Sequence, residues 1–108
     1  MSYQDIANMI ESIGLPFAYR YFPIGDVPDL PYIVFYYPSR ENFGADNIAY
    51  VPFENVNIEL YTENKDFSTE ESVEAVLTQN GFFYEKSETY LSTEQMYEVL
   101  YEIQFIKE

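Results

Sequence analysis

Met96-Tyr-Glu-Val-Leu-Tyr-Glu-Ile-Gln-Phe105 decides what kind of fold this sequence makes, because it fits two periods at once. Ser92 and Gln95, just before it, have the spacing of a capping box, and Met96, Val99, Leu100 and Ile103 recur as they would on one helix face. Yet Tyr97, Val99, Tyr101, Ile103 and Phe105 also alternate strictly with Glu98, Leu100, Glu102 and Gln104. Every member of the first set is β-branched or aromatic, and such side chains fit a pleated surface better than a helix. The expectation is a long terminal strand after a short turn, apolar on one face and acidic on the other.

Such a strand needs partners. Val56, Ile58 and Leu60 alternate with Asn57, Glu59 and Tyr61, which marks a second half-buried strand running from Asn55. Tyr32 to Tyr37 is apolar at every position, as an interior strand would be, and Pro38 ends it. Phe17 to Phe22 and Phe82 to Lys86 read as shorter strands. Two segments carry the helical period instead. Ser2 and Asp5 form a shortened capping box before Ile6, Met9, Ile10 and Ile13, and Gly14 and Pro16 stop that run. Ser68 with Glu71 heads Val73, Val76 and Leu77, closed by Asn80 and Gly81. The expected order is α-β-β-β-α-β-β: an α+β fold with an antiparallel or mixed sheet and two helices covering one face. With 108 residues the chain has room for one core, so residues 1–108 are expected to be a single domain.

Two connections stand out. Pro23 to Pro31 carries Ile24, Val27 and Leu30 among its prolines and aspartates, too apolar for a purely solvated loop. Either it packs over the sheet edge or it orders against a neighbouring subunit. Ser39 to Asn47 is polar, contains Gly44 and reads as a hairpin connection or a longer mobile loop. Ile24, Val27, Leu30 and Phe43 are the candidate subunit-contact residues of these two loops.

Charge and composition narrow the chemistry. Nineteen acids against five bases give a formal net charge of -14, and residues 51–108 hold thirteen of the acids and three of the bases. A field of that sign repels nucleic acid and anionic membranes. Without histidine or cysteine, the usual general base, thiolate nucleophiles and thiolate metal sites are excluded. The residues Met1 to Ile10 lack a basic start and an apolar run, and the apolar stretch Tyr32 to Tyr37 is far too short for a membrane span. A soluble intracellular protein is expected.

Carboxylate pairs are the remaining catalytic material. Glu70 and Glu74 lie one helical turn apart and are expected to line a solvated face, whereas Glu98 and Glu102 share one side of the last strand. Neither spacing builds an acid/base site. No segment matches a calcium-binding loop, and the four glycines do not cluster into a phosphate cradle. Glutamates, not bases, are interleaved with the aromatic residues, which suits a core or protein interface better than a base-stacking platform. No enzyme activity, cofactor or metal is expected.

The stretches Glu11–Tyr19 (ESIGLPFAY), Leu30–Pro38 (LPYIVFYYP), Asn42–Asn47 (NFGADN), Ile58–Thr62 (IELYT), Lys65–Phe67 (KDF) and Met96–Ile103 (MYEVLYEI) together resemble small minor structural proteins of long-tailed bacteriophages and prophages. Within that group the resemblance is to tail-completion proteins, also called tail terminators or head-tail joining proteins. It runs along nearly the whole chain, on scaffold and surface segments. It implies a small α+β domain that assembles with itself as a ring, usually a hexamer, on the end of the tail tube. The implied partners are the major tail protein and the head connector, with assembly in the host cytoplasm and residence in the virion tail. DNA would pass through such a ring without specific binding and without contact with a membrane. Glu59, Glu98 and Glu102, on the sheet face away from the helices, would then form an acidic lumen that repels phosphate. Two other readings stay open: an acidic DNA mimic that inhibits a host DNA-binding enzyme, and another head-tail adaptor or tail assembly protein.

Overall fold

The computed structural model describes residues 1–44 and 51–108. Helix α1 (Tyr3–Ser12) is followed by strands β1 (Phe17–Tyr19), β2 (Tyr32–Tyr36), β3 (Arg40–Phe43) and β4 (Val51–Thr62), helix α2 (Phe67–Gln79), and strands β5 (Glu85–Leu91) and β6 (Met96–Ile106). The α+β class and the mixed sheet match the expectation, with one strand more than expected. The sheet runs β1-β2-β4-β6-β5, and β3 also pairs with β4. Among the described residues β1 and β2 pair in parallel and the other strand pairs are antiparallel.

The terminal segment is a strand. β6 pairs with β4 from Phe53↔Ile106 to Thr62↔Tyr97, which brings the apolar residues of both strands together on one face. Ile58 meets Tyr101, Val56 meets Ile103 and Leu60 meets Val99 on one face, and all six are buried. Ile33 and Phe35 of β2 extend this surface, and both helices close it with Ile6, Met9 and Ile10 from α1 and Val73 and Leu77 from α2. Complete burial of each such side chain is worth about 1.5–3 kcal/mol.

The helix ends follow local chemistry. Ser2 Oγ accepts from the Asp5 N–H at 3.1 Å while Asp5 Oδ2 accepts from the Ser2 N–H at 2.8 Å, the reciprocal box with aspartate in place of glutamate. For α2 the cap is Asp66, two residues before the expected Ser68. Its carboxylate accepts from the Thr69 N–H at 3.0 Å and the Thr69 hydroxyl at 2.6 Å. A full negative charge at a helix N-terminus outcompetes a serine hydroxyl. At the other end, Phe82 N–H donates to Leu77 C=O and Gly81 N–H to Thr78 C=O, both at 3.0 Å, with Gly81 at φ +80°. This is a Schellman closure. It holds Phe82 in the helix cap, so the strand expected at Phe82–Lys86 starts at Glu85 instead and runs to Leu91.

The segment expected as a hairpin connection contributes a strand of its own to an antiparallel pair with β4. Arg40 to Phe43 is a strand on β4, with Arg40↔Glu54 and Phe43↔Val51 in register. Phe43 is therefore a strand residue whose ring stands edge-on to Phe53 at 5.0 Å, and positions 45–47 of the expected loop lie outside the described residues. β2 ends at Tyr36, just before Pro38, as expected, and the chain resumes pairing with β4 three residues later as β3. Tyr36 pairs with Asn57 and Arg40 with Glu54, so three residues, Tyr37 to Ser39, oppose two on β4. Pro38, which has no N–H to donate, sits in this one-residue bulge. The bulge shifts the alternation and turns Arg40 to the helix side of the sheet. There its Nε meets the buried Glu54 carboxylate at 2.7 Å and its Nη2 donates to Tyr3 Oη at 2.9 Å.

A second polar cluster fixes α2. Glu70, only 1% exposed, receives Lys65 Nζ at 2.7 Å and Lys86 Nζ at 2.9 Å. Glu74 accepts from Lys86 at 2.8 Å and from Tyr101 Oη at 2.6 Å. The Glu70 and Glu74 pair thus does not line a solvated face. Glu70 stands at i, i+3, i+7 with Val73 and Leu77, on the buried stripe, and burial of its charge is tolerated because two ammonium groups neutralise it. Burial first, and then the bond to Glu74, raise the Tyr101 phenol far above its ordinary range, so it stays a donor.

Two substitutions test these clusters by urea unfolding. Tyr101→Phe is expected to cost about 2 kcal/mol, the worth of a buried hydrogen bond to a charged acceptor. Arg40→Met is expected to lower the unfolding midpoint, and Glu54→Leu in the same chain to restore most of the loss, because the uncompensated carboxylate then disappears with its partner.

Candidate functional site

The face of the sheet away from the helices is the candidate surface. Antiparallel register fixes its membership, because residues directly opposite one another point the same way. Glu59 lies between Val34 of β2 and Leu100 of β6; Tyr61 lies between Tyr32 and Glu98; Asn57 lies between Tyr36 and Glu102. Glu59, Glu98 and Glu102 therefore share one face, with tyrosines among them. Glu85 of β5 sits directly opposite Glu102, and both are exposed. Two like charges in that position oppose strand pairing.

The three acids differ in their surroundings. Glu59 is held by phenols: Tyr61 Oη donates to its Oε1 at 2.8 Å and Tyr36 Oη to its Oε2 at 3.4 Å, with Asn57 Nδ2 donating to Tyr36 Oη at 3.2 Å. Burial and then the bond to Glu59 push the Tyr61 phenol well above its ordinary range. Burial, and after it the Glu59 charge, raise the Glu98 carboxyl above the usual carboxylate range. Glu102 is exposed. The acidic side of β6 and the neighbourhood of Tyr61 and Glu59 on one face of β4 were legible from alternation; the second phenol, Tyr36, was not, because it depends on how β2 and β4 align.

One end of this face is covered by the connection between β1 and β2. The Phe22 ring stands edge-on to Tyr32 at 5.1 Å, and the Arg20 guanidinium lies 4.6 Å from the centre of the Tyr36 ring. This cover explains why Val34 is buried although it points away from the helices, and why β2 reads as apolar on both faces. The rest of the connection projects. Asp26 N–H donates to Pro23 C=O at 2.9 Å, and Gly25 at φ +89° supplies the left-handed position of the turn. Ile24 at its tip is 102% exposed, Val27 is exposed and Leu30 half-buried. Arg20 and Phe22, just before this loop, pack on the sheet; within the loop Ile24 stands clear at the tip, while Val27, though exposed, lines a groove with Tyr32.

Among the described residues no cluster of three or more carboxylates is placed to hold a metal ion, and no helix is long and apolar enough to cross a membrane.

Because Glu98 binds its proton more readily in the folded chain, its charge opposes folding above the folded-state value, and that opposition fades as pH falls. Glu98→Gln is therefore expected to raise the melting temperature at pH 7, with the gain shrinking on acidification and gone below about pH 4. Thermal melts of both chains across that range measure it, and an equal gain at every pH would contradict the assignment.

No family model matches the chain, and no curated protein matches it. Among solved structures, nine chains match. One, from the virion of a native gene transfer agent (GTA) particle, is similar with a TM-score of 0.53 and 11% sequence identity, over 94% of this chain and 87% of that chain. At that identity the likeness is one of fold.

Proposed function

We propose that this chain is a structural protein of a phage-like virion and, within the virion, the tail terminator: a ring of copies on the end of the tail tube that joins it to the head connector. The observation that carries this reading is the fold shared with a chain of a gene transfer agent virion over nearly the full length of both. The sequence resemblance to tail-completion proteins supports the finer role, as does the projecting apolar turn at Ile24, which leaves apolar surface for a neighbour to cover. The chain would assemble in the host cytoplasm and remain in the tail, with the major tail protein below it and the connector above.

In this reading the acidic sheet face turns toward the channel. Glu98 and Glu102, with Glu59 behind its tyrosines, present negative charge along which DNA slides without being held. The placement of other acids weighs against the inhibitor alternative. Asp5 and Asp66 cap helices, and Glu54, Glu70 and Glu74 neutralise arginine and lysine inside the fold. A DNA mimic would instead array them outward. Deletion of the gene from its parent phage tests the role. Electron microscopy is expected to show tails of irregular length apart from filled heads, restored by the gene in trans. Normal particles would overturn the proposal, and joined particles lacking only infectivity would assign the chain elsewhere in the tail. A ring structure with Glu59, Glu98 and Glu102 on its outer rim would remove the lumen assignment alone.

A further inference from the structure

The projecting turn has a counterpart at the opposite end of the sheet. Past the far end of β6, Met1, Phe82, Phe83, Phe105 and Ile106 line an open depression of about 480 Å³. Asn80 and Gln104 add amides to the lining, the Met1 ammonium at its edge is held by Ile106 C=O at 3.1 Å and Glu108 at 3.3 Å, and the Phe83 ring at its rim is 86% exposed. A single exposed side chain such as Ile24 is ordinary on a protein surface, whereas several apolar residues gathered in one depression mark a place that another molecule can cover. The turn that carries Ile24 lies near the start of β6, where Val27 lines a groove with Tyr32, Glu94 and Met96. The depression lies at Ile106, ten residues further along the same strand, or roughly 33 Å at about 3.3 Å per residue. One chain therefore cannot fill its own socket.

We propose that Ile24 of one copy seats in this depression on the next, so that copies join head to tail. This names the contact of the ring proposed above and rests on that reading. Every copy would present one knob and one socket on different surfaces, the heterologous arrangement that closes into a ring when the rotation permits. Charge agrees with it. Phe83 also borders the Glu85 and Glu102 carboxylates, which face each other across β5 and β6 without a basic partner between them. Arg20, exposed and four residues before Ile24, is the cation the knob would bring to them. The close approach of Glu85 and Glu102, unfavourable in a lone subunit, is relieved when a neighbour's guanidinium arrives. A two-fold dimer with each knob in the other's socket would use both surfaces and close at two copies, so a doubly substituted chain that stops at a dimer would overturn the head-to-tail arrangement.

The chain has no cysteine, so an introduced pair reports the contact without background. The full chain carrying Ile24→Cys and Phe83→Cys, concentrated and mildly oxidised, is expected to give a reducible ladder of covalent oligomers, while an equal mixture of the two single variants stops at the dimer. Both side chains are exposed, and circular dichroism confirms that each variant folds. In the otherwise unaltered chain, Ile24→Asp is expected to weaken self-association in sedimentation velocity at least tenfold. Arg20→Glu is expected to weaken it too, and Glu102→Arg in the same chain to restore it. Oligomers by light scattering without a link between positions 24 and 83 would overturn this contact and leave the ring intact. A monomer with no link at any concentration would overturn the contact, with the virion role still judged by the gene deletion. Dimers from the Ile24→Cys variant alone would replace the head-to-tail arrangement with a symmetric one.

Discussion

Ten consecutive antiparallel pairs between β4 and β6 set the position of everything else. Because side chains alternate along a strand, the register of this ladder decides at once which residues form the core and which form the acidic face. A slip of one residue would place Glu98 and Glu102 against the helices and expose Val99, Tyr101 and Ile103. Both cannot be buried together, so the core and the candidate surface are two sides of one pairing. β2 extends the sheet on the far edge of β4 and β5 on the far edge of β6, each inheriting its facing from the central pair.

The charges divide into two populations with different physical roles. Inside, Glu54 and Glu70 are buried and compensated by Arg40, Lys65 and Lys86. Such pairs contribute little net stability, since desolvation offsets much of the attraction, but an unpaired member would be costly. They link separate elements: Lys86 of β5 meets Glu70 of α2, and Arg40 of β3 meets Glu54 of β4. Outside, Glu98, Glu102 and Glu85 form no ion pair among the described residues, and that excess is the property the proposed ring would use.

The connection between β1 and β2 joins these themes. A parallel pair cannot be closed by a tight turn, so the chain must cross from one end of β1 back to the start of β2. The crossing covers Val34 on one flank and projects Ile24 on the other, at the end of the sheet opposite the Phe83 socket. The topology that makes the long connection necessary also places it where a neighbour can reach it.

The alternation of Val56 to Tyr61 marked one central strand by itself, and that of Tyr97 to Phe105, whose β-branched and aromatic members favour a pleated surface over the competing helical period, marked the other with its buried face and acidic side. The box at Ser2 and Asp5 and the stop at Gly81 were likewise local and legible. What only the tertiary structure decided lay where distant segments meet. The sequence shows Pro38 as a stop, and a bulge needs the facing strand to define it. Glu70 and Glu74 have the spacing of a solvated pair, and Lys86 becomes their partner only when β5 folds back beside α2. Glu59 is an acid beside Tyr61 on an alternating strand until Tyr36 closes on it. Periodicity reports the direction in which a side chain points, whereas pairing across the sheet decides what it finds there.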